Sequence, residues 1–378
     1  MKVIHIIDAL GWGGAQKLLL TFAETANQRG IETIVISLRT DKNKSDIPEM
    51  LKARGAKVIT LSYQKIFDPR TLPVLISLLK NEQADIVHTH LSHANILGCL
   101  AAKAVNVPAV ATLHNTRNSE AGNLNLRFRI ERFCLRNMAT RVIAVGEKVA
   151  DVYRDLIRKD LLDIIPNSVC FGQRISLQKR TAIRTELAGS PDRIIVIAVG
   201  RLRLQKGYDD MLTAFARVHE SCPNAFLVIV GVGSLLDSLM ERTRSLGISE
   251  HVRFLGGRDD VPQLLAAADV FVNCSHYEGL SVAMLEAMAA GLPVVATNVG
   301  DAEVMLAAGG GLLVDAQNPD AFARVLEILL IDPEKMRSMG QVARECVERN
   351  YTADAWLDKL LACYALAQKK YVRLEYRS

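Results

Sequence analysis

The sequence holds no Cys-x-x-Cys pair, no Asp-x-Asp triplet, and no apolar run near the roughly 18 residues that would argue a membrane-spanning helix. The seven cysteines, at 99, 134, 170, 222, 274, 346 and 363, are scattered and odd in number, which fits reduced thiols better than a disulfide framework. Such usage points to the cytoplasm. Lacking Asp-x-Asp, the chain lacks the usual carboxylate holder for a divalent metal, so neither a metal nor another cofactor is expected and cations must come from side chains. The apolar run of MKVIHIIDALGWGG ends at Asp8 without a small-residue cleavage site, so a secretory signal is not expected. The basic excess is slight, 46 against 41 acidic residues for a net charge of +5, and calls for no nucleic-acid partner.

What is present is an ordinary globular composition, 49% hydrophobic and 23% charged, over 378 residues, which is more than one core usually organises. Two domains are expected. VIHIID reads as a buried strand, GWGG as a tight loop and AQKLLLTFAETANQRG as a helix stopped by Gly30. Strand candidates ETIVISL, AKVITL, ADIVHTH, AVATLH, RVIAVG and DIIP follow, separated by helical stretches, and this alternation argues a parallel sheet covered on both faces. Near residue 166 the pattern breaks at the polar stretch PNSVCFGQRISLQKR, and a second series then opens with strand RIIVIAVG, loop RLRLQKGYDD and helix MLTAFARVHESC. The expected division is 1–172, 190–350 and a helical tail over 351–378, giving an α/β protein of two Rossmann-like doubly wound domains.

In HYEGLSVAMLEAMAAGLP, Glu278 and Glu286 stand eight apart, and the helix around Glu286 is apolar all round, hence expected to be buried. A lone carboxylate there needs a polar partner: either an arginine or the two vicinal hydroxyls of a ribose. Gly279, Leu280 and Ser281 offer backbone N–H groups at a helix N-terminus, where an anionic group is favoured, while Ser281 can also serve as a plain N-cap. Arg201 and Lys206 follow the C-terminal end of a strand, where open α/β sheets bind ligands, and two cations there can neutralise a diphosphate.

Gly11, Gly13 and Gly14 do not complete a dinucleotide fingerprint, so NAD is weakly supported. His88 and His90 of HTHLSH share a strand face, with His93 nearby, but no acidic cluster or cysteine completes a metal site. His114 ends another strand and is the better candidate for a polar group facing a cleft. LRFRIERFCLRN places Arg127, Arg129, Arg132 and Arg136 among Phe128, Phe133 and Leu135, with Leu124 just before, as a basic amphipathic helix would. Contact with an anionic membrane is one reading, and a solvated surface helix is the other.

These residues resemble the family 4 retaining glycosyltransferases. GRLRLQKG is similar to their phosphate loop, EGLSVAMLE to their spaced glutamate pair and GWGGAQK to their N-terminal glycine loop, in the same order and spacing. FLGGRDDVPQLLAAADVFVNCS and IIPNSV extend the likeness over nearly the whole chain. The resemblance implies a GT-B fold, with two Rossmann-like domains facing across a cleft and the last helix crossing back to the N-domain. It implies that Arg201 and Lys206 bind the donor diphosphate, Glu286 the ribose and Glu278 the transferred sugar, with backbone contacts from Gly279, Leu280 and Ser281. Gly257 and Arg258 would border the base, Gly13 and Gly14 would approach the donor from the opposing domain, and His114 would face the sugar. Two positions depart from the pattern: Asp301 after Gly300, and Ser168 after the Pro-Asn pair, each where relatives commonly carry glycine.

The expected activity is transfer of a hexose or N-acetylhexosamine from a nucleotide diphosphate sugar, with uridine as the favoured base, to a saccharide or lipid-linked acceptor in cell-envelope polysaccharide synthesis. Catalysis would rest on Glu278, His114, Arg201 and Lys206 without metal, in the cytoplasm or at the inner face of the membrane. A GT-B-like nucleotide-sugar epimerase and a non-catalytic nucleotide-sugar-binding subunit are the competing readings.

Overall fold

The computed structural model describes residues 1–41, 45–61, 68–116, 126–172 and 175–375, with the backbone alone at 370 and 372–375. The chain forms two compact units. Met1–Gly11, Ala15–Asn167 and the segment from Ala353 make the first, and Ser168–Thr352 with Trp12–Gly14 make the second.

In the first unit strands and helices alternate: β1 (Lys2–Ala9), α1 (Gly14–Gln28), β2 (Glu32–Arg39), α2 (Ile47–Ala53), β3 (Lys57–Thr60), α3 (Thr71–Glu82) and β4 (Ile86–His90). Then come α4 (Ser92–Ala104), β5 (Ala109–Leu113), α5 (Leu126–Asn137), β6 (Arg141–Ala144), α6 (Glu147–Tyr153) and β7 (Leu162–Ile164). Among the described residues the strands form one parallel seven-stranded sheet in the order β3-β2-β1-β4-β5-β6-β7. Parallel strands covered on both faces carry unbroken apolar runs, and Ile4, Ile6, Ile34, Ile36 and Val87 are accordingly fully buried. The exceptions are polar. His5 pairs in register with His88 across β1 and β4, and every residue of β4, including His88, Thr89 and His90, is buried.

The second unit begins with α7 (Leu177–Ala188) and continues β8 (Ile194–Val199), α8 (Tyr208–Ser221), β9 (Ala225–Val230), α9 (Leu236–Ser245), β10 (Val252–Phe254), α10 (Val261–Ala267) and β11 (Val270–Asn273). It closes with α11 (Val282–Ala289), β12 (Val294–Thr297), α12 (Ala302–Leu306), β13 (Gly311–Val314), α13 (Pro319–Leu330) and α14 (Pro333–Asn350). Its parallel sheet runs β10-β9-β8-β11-β12-β13, the same winding as the first. α8 buries Met211, Leu212, Phe215 and Val218 at helical spacing against Val196, Leu227 and Ile229 of the sheet. Burying a side chain such as Phe215 contributes about 1.5–3 kcal/mol. The strand order reverses beside β8, which places the ends of β8 and β11 at the switch point where open sheets take ligands.

The boundary differs from the sequence expectation. Residues 177–180, read as the end of a polar stretch, open α7 (Leu177–Ala188), capped by Ser176, whose Oγ accepts from the Lys179 N–H at 3.2 Å, and stopped by Gly189. Ile183 and Leu187 bury one face of this helix, and the buried Arg184 donates to Pro191 O at 2.7 Å and Ala267 O at 2.8 Å while pairing with Asp269. Basic composition concealed a packed helix, so the division falls between 167 and 168.

The final helix, α15 (Ala353–Glu375), belongs to the first unit. Leu357, Leu360, Tyr364 and Ala367 bury one stripe, and the Tyr364 hydroxyl lies 2.7 Å from His88 Nδ1. Ser168, at the boundary, is 1% exposed and its Oγ meets no partner among the described residues, so a glycine would cost less at this position.

Candidate active site

The site in the second unit grows from the end of β8. After Gly200 and Arg201 a 3-10 turn, Leu204–Lys206, ends at Gly207, whose φ is +60°. A Cβ at Gly207 would fall 2.0 Å from Cys274 O, so only glycine lets this turn lie against the chain that follows β11. The His276 N–H donates to Gln205 O at 2.8 Å, and Gln205 Nε2 donates to Tyr277 O at 2.9 Å. These bonds bring Lys206 Nζ onto the carboxylate of Glu278. Glu278 is 7% exposed, and Ser275 Oγ stands 2.8 Å from the same Oε1. A buried carboxylate this enclosed needs both its counter-ion and its hydrogen bond.

Glu278 leads directly into α11. Gly279, Leu280 and Ser281 are buried, and Ser281 Oγ accepts from Met284 N at 3.4 Å, so the N-cap role is realised. Gly300, with φ +56°, approaches this turn so closely that a Cβ would sit 2.1 Å from Gly279 O. The Asp301 N–H then donates to Gly279 O at 3.0 Å, so its backbone braces the turn, and Asp301 is only 3% exposed. The turn into the helix is thus held on two sides, with the Lys206 ammonium on Glu278, three residues before the N-cap. Arg201 is exposed as a residue, yet its guanidinium is held below the ordinary arginine range by desolvation first and the Arg203 charge next, with Glu278 and Tyr277 opposing.

One expectation changes here. α11 is not buried all round: Ala283, Glu286 and Ala290 form a half-buried face, and Glu286 lines a recess with Pro262, Ala266, Cys170 and Arg344. The small Ala283 and Ala290 beside it leave this face less covered than the rest of the helix. Arg258 is forked onto Asp260, with Nε and Nη2 at 2.7 and 2.6 Å, and this bond raises its pKa. Its charge is locally balanced, an arrangement that the adjacent acids of GRDD already permit.

Gly13 and Gly14 follow β1, at the turn into α1. His114 directly follows β5 and is half-buried, its Nε2 3.1 Å from His90 Nδ1. His90 Nε2 in turn lies 3.0 Å from His5 Nδ1, a residue that sequence reasoning passed over. His93 takes no part: its Nδ1 lies 2.9 Å from Asp8 Oδ2, while Asp8 Oδ1 accepts from Ala94 N and so caps α4. Among the described residues, His5, His88 and His90 bring ligand-type nitrogens within 4.8 Å of one another. Both His88 nitrogens are engaged at 2.7 Å, by Tyr364 and Thr112, and the His5–His90 separation is that of a hydrogen bond.

α5 carries two apolar stripes. Phe128, Cys134 and Leu135 are buried, whereas Leu126, Ile130 and Phe133, at i, i+4 and i+7, are 68%, 39% and 57% exposed. Arg127, Arg129 and Arg136 are exposed around them; Leu124 lies outside the described residues. Among the described residues no helix is long and apolar enough to cross a membrane.

Known proteins agree with this layout. Residues 12–170 match the family model described as Glycosyltransferase Family 4, and residues 179–346 match Glycosyl transferases group 1. A UDP-Gal:alpha-D-GlcNAc-diphosphoundecaprenol alpha-1,3-galactosyltransferase of Escherichia coli is 25% identical over 96% of each chain. The lipopolysaccharide core biosynthesis glycosyltransferase LpsE of Rhizobium meliloti is 26% identical over 97% of this chain and 99% of its own. Among solved structures, HepE of Anabaena in complex with UDP-glucose superposes with a TM-score of 0.87 at 20% identity, covering 97% of this chain and 99% of that one. With two adjoining family models spanning most of its length on two doubly wound sheets, the chain belongs to the family 4 glycosyltransferases of GT-B fold.

Proposed function

We propose that this glycosyltransferase moves a hexose or N-acetylhexosamine from a uridine diphosphate sugar to a saccharide or lipid-linked acceptor of the cell envelope, with retention at the anomeric carbon and without metal. The observation that carries the reading is the Lys206–Glu278 pair at the N-terminus of α11, where a cation, a carboxylate and helix N–H groups converge. The relative whose name specifies UDP-Gal, and HepE with its UDP-glucose, support the choice of donor.

Each group has a role in this reading. Arg201, Lys206 and the N–H groups of Gly279, Leu280 and Ser281 take up the charge that grows on the diphosphate as its bond to the anomeric carbon breaks. Preorganised donors at such a point are worth ~3–4 kcal/mol each. Glu278 orients the transferred sugar, Glu286 accepts from the ribose hydroxyls, Arg258 with Gly13 and Gly14 borders the donor, and His114 meets the sugar. The acceptor hydroxyl attacks the face that the diphosphate leaves, and its proton passes to the leaving oxygen. Acting at the cytoplasmic face of a membrane, the enzyme would rest on anionic lipid through α5, whose exposed Leu126, Ile130 and Phe133 lie among arginines.

A thermal-shift series with UDP, GDP, ADP and NAD, on wild type and Glu286→Ala, tests the donor assignment, because selective binding raises apparent stability by mass action. Stabilisation by UDP that weakens in the variant is the expected outcome. Selective response to another nucleotide would replace the donor, and response to NAD alone would overturn the reading.

A further inference from the structure

Three imidazoles, one from each of β1, β4 and the end of β5, stand in a single hydrogen-bonded file. His5 Nδ1 lies 3.0 Å from His90 Nε2, and His90 Nδ1 lies 3.1 Å from His114 Nε2. The file is closed at one end and open at the other. His5 is 1% exposed and its Nε2 is buried without a partner among the described residues, whereas His114 is half-buried. Burial first, and neighbouring rings next for His5 and His90, hold all three well on the neutral side.

A neutral imidazole carries one N–H and one lone pair. Two contacts in the file need one proton each, and three rings supply three, so the third proton must sit at an end. Only two arrangements satisfy both contacts. In one, His114 donates to His90 and His90 to His5, which leaves an N–H at His5 Nε2 buried with no acceptor. In the other, His5 donates to His90 and His90 to His114, which leaves a lone pair at the buried end and places the spare proton on His114 Nδ1. Orphaned buried N–H donors are rarer and costlier than orphaned acceptors, so the second arrangement wins.

We propose that the buried His5–His90 pair fixes His114 in its Nδ1–H form, making it a hydrogen-bond donor to an oxygen of the bound sugar rather than a base. His5 and His90 are then positioning residues that act through His114, as buried partners do when they set the tautomer of a working histidine. This rests on the reading above that His114 meets the transferred sugar. His88 is tied separately, by Tyr364 and Thr112, and does not enter the file.

Nitrogen NMR of the protein carrying ring-labelled histidine reads the tautomer directly, without a variant. A protonated Nδ1 and bare Nε2 on His114, assigned by its loss in His114→Ala, is the expected result; the reverse overturns the proposal. His90→Phe should release the preference and lower turnover about tenfold or more with UDP affinity unchanged, the scale of one hydrogen bond. His90→Gln, which still accepts from one side and donates to the other, should recover much of the loss; equal loss in both variants argues against tautomer control. Stoichiometric zinc binding that is abolished in His5→Phe would make the trio a metal site and sink the relay. If His114→Ala transfers sugar at the wild-type rate, the reading of His114 falls, while the tautomer measurement stands by itself.

Discussion

Lys206 and Glu278, 72 residues apart in sequence, form an ion pair that fastens the turn after β8 to the N-terminus of α11. Each partner serves two purposes. The lysine neutralises a carboxylate that is nine-tenths buried, and the carboxylate holds the lysine at the turn that leads into α11. Lys206→Ala should therefore lower turnover by about a hundredfold or more. It should also cost about 1–3 kcal/mol of stability, because Glu278 keeps only part of its hydrogen bonding. Steady-state kinetics beside urea melts check this, and unchanged turnover refutes the assignment.

Gly207→Ala should do more structural damage than its size implies. The new methyl would overlap Cys274 O while the backbone stays left-handed, so the 3-10 turn must move and carry Lys206 with it. The expected loss is about 1–3 kcal/mol, typical of a strained backbone position, together with UDP binding. Calorimetry reads both, and wild-type affinity in the variant would count against the docked turn.

Acid should unfold the first unit by way of its histidines. In the unfolded chain these rings take up a proton near the ordinary 6.5, whereas in the folded state His114 is pushed down to about 4 and His5, His88 and His90 well below 6.5, burial being the first cause for all four. Between those limits the unfolded state binds more protons, so stability is full above about pH 6.5 and falls as pH drops toward 4. Each ring contributes up to ~1.4 kcal/mol per pH unit. Urea denaturation at pH 7 and 5.5 should show the decline, with a shallower slope in His5→Phe.

Phe133→Asp and Leu126→Asp change residues that are more than half exposed, so they should leave stability within about 0.5 kcal/mol of wild type. They should nevertheless remove retention on vesicles of anionic lipid at low salt. High salt should weaken the wild-type interaction in the same assay, since exposed charges are screened. Retention that ignores both changes would argue against α5 as the contact.

Much of the architecture was readable because parallel strands covered on both faces must be apolar throughout, and runs such as RIIVIAVG and AFLVIVG show it. The spacing of Glu278 and Glu286 likewise exposed a helix N-terminus. What periodicity could not give was the partner of each group. Lys206 and Glu278 meet only through a close approach at Gly207, and Arg184 is buried within a segment whose basic character reads as solvated. His5 was recoverable in part: a histidine inside VIHIID stands out, and a doubly wound order sets β1 beside β4 and so beside His88 and His90. Its unpartnered Nε2 depends on side-chain packing that no sequence pattern encodes.

The contact between Tyr364 and His88 also sets an order of assembly. During synthesis Ser168–Thr352 emerges whole before α15 exists, so the second unit can fold while the first still lacks a helix. Until residue 364 appears, the Nδ1 of His88 has no tyrosine to meet, and without α15 the buried stripe of Leu357 and Leu360 is missing. The domain that starts first is therefore finished last, and a chain cut short before α15 would carry a complete second unit joined to an unsealed first.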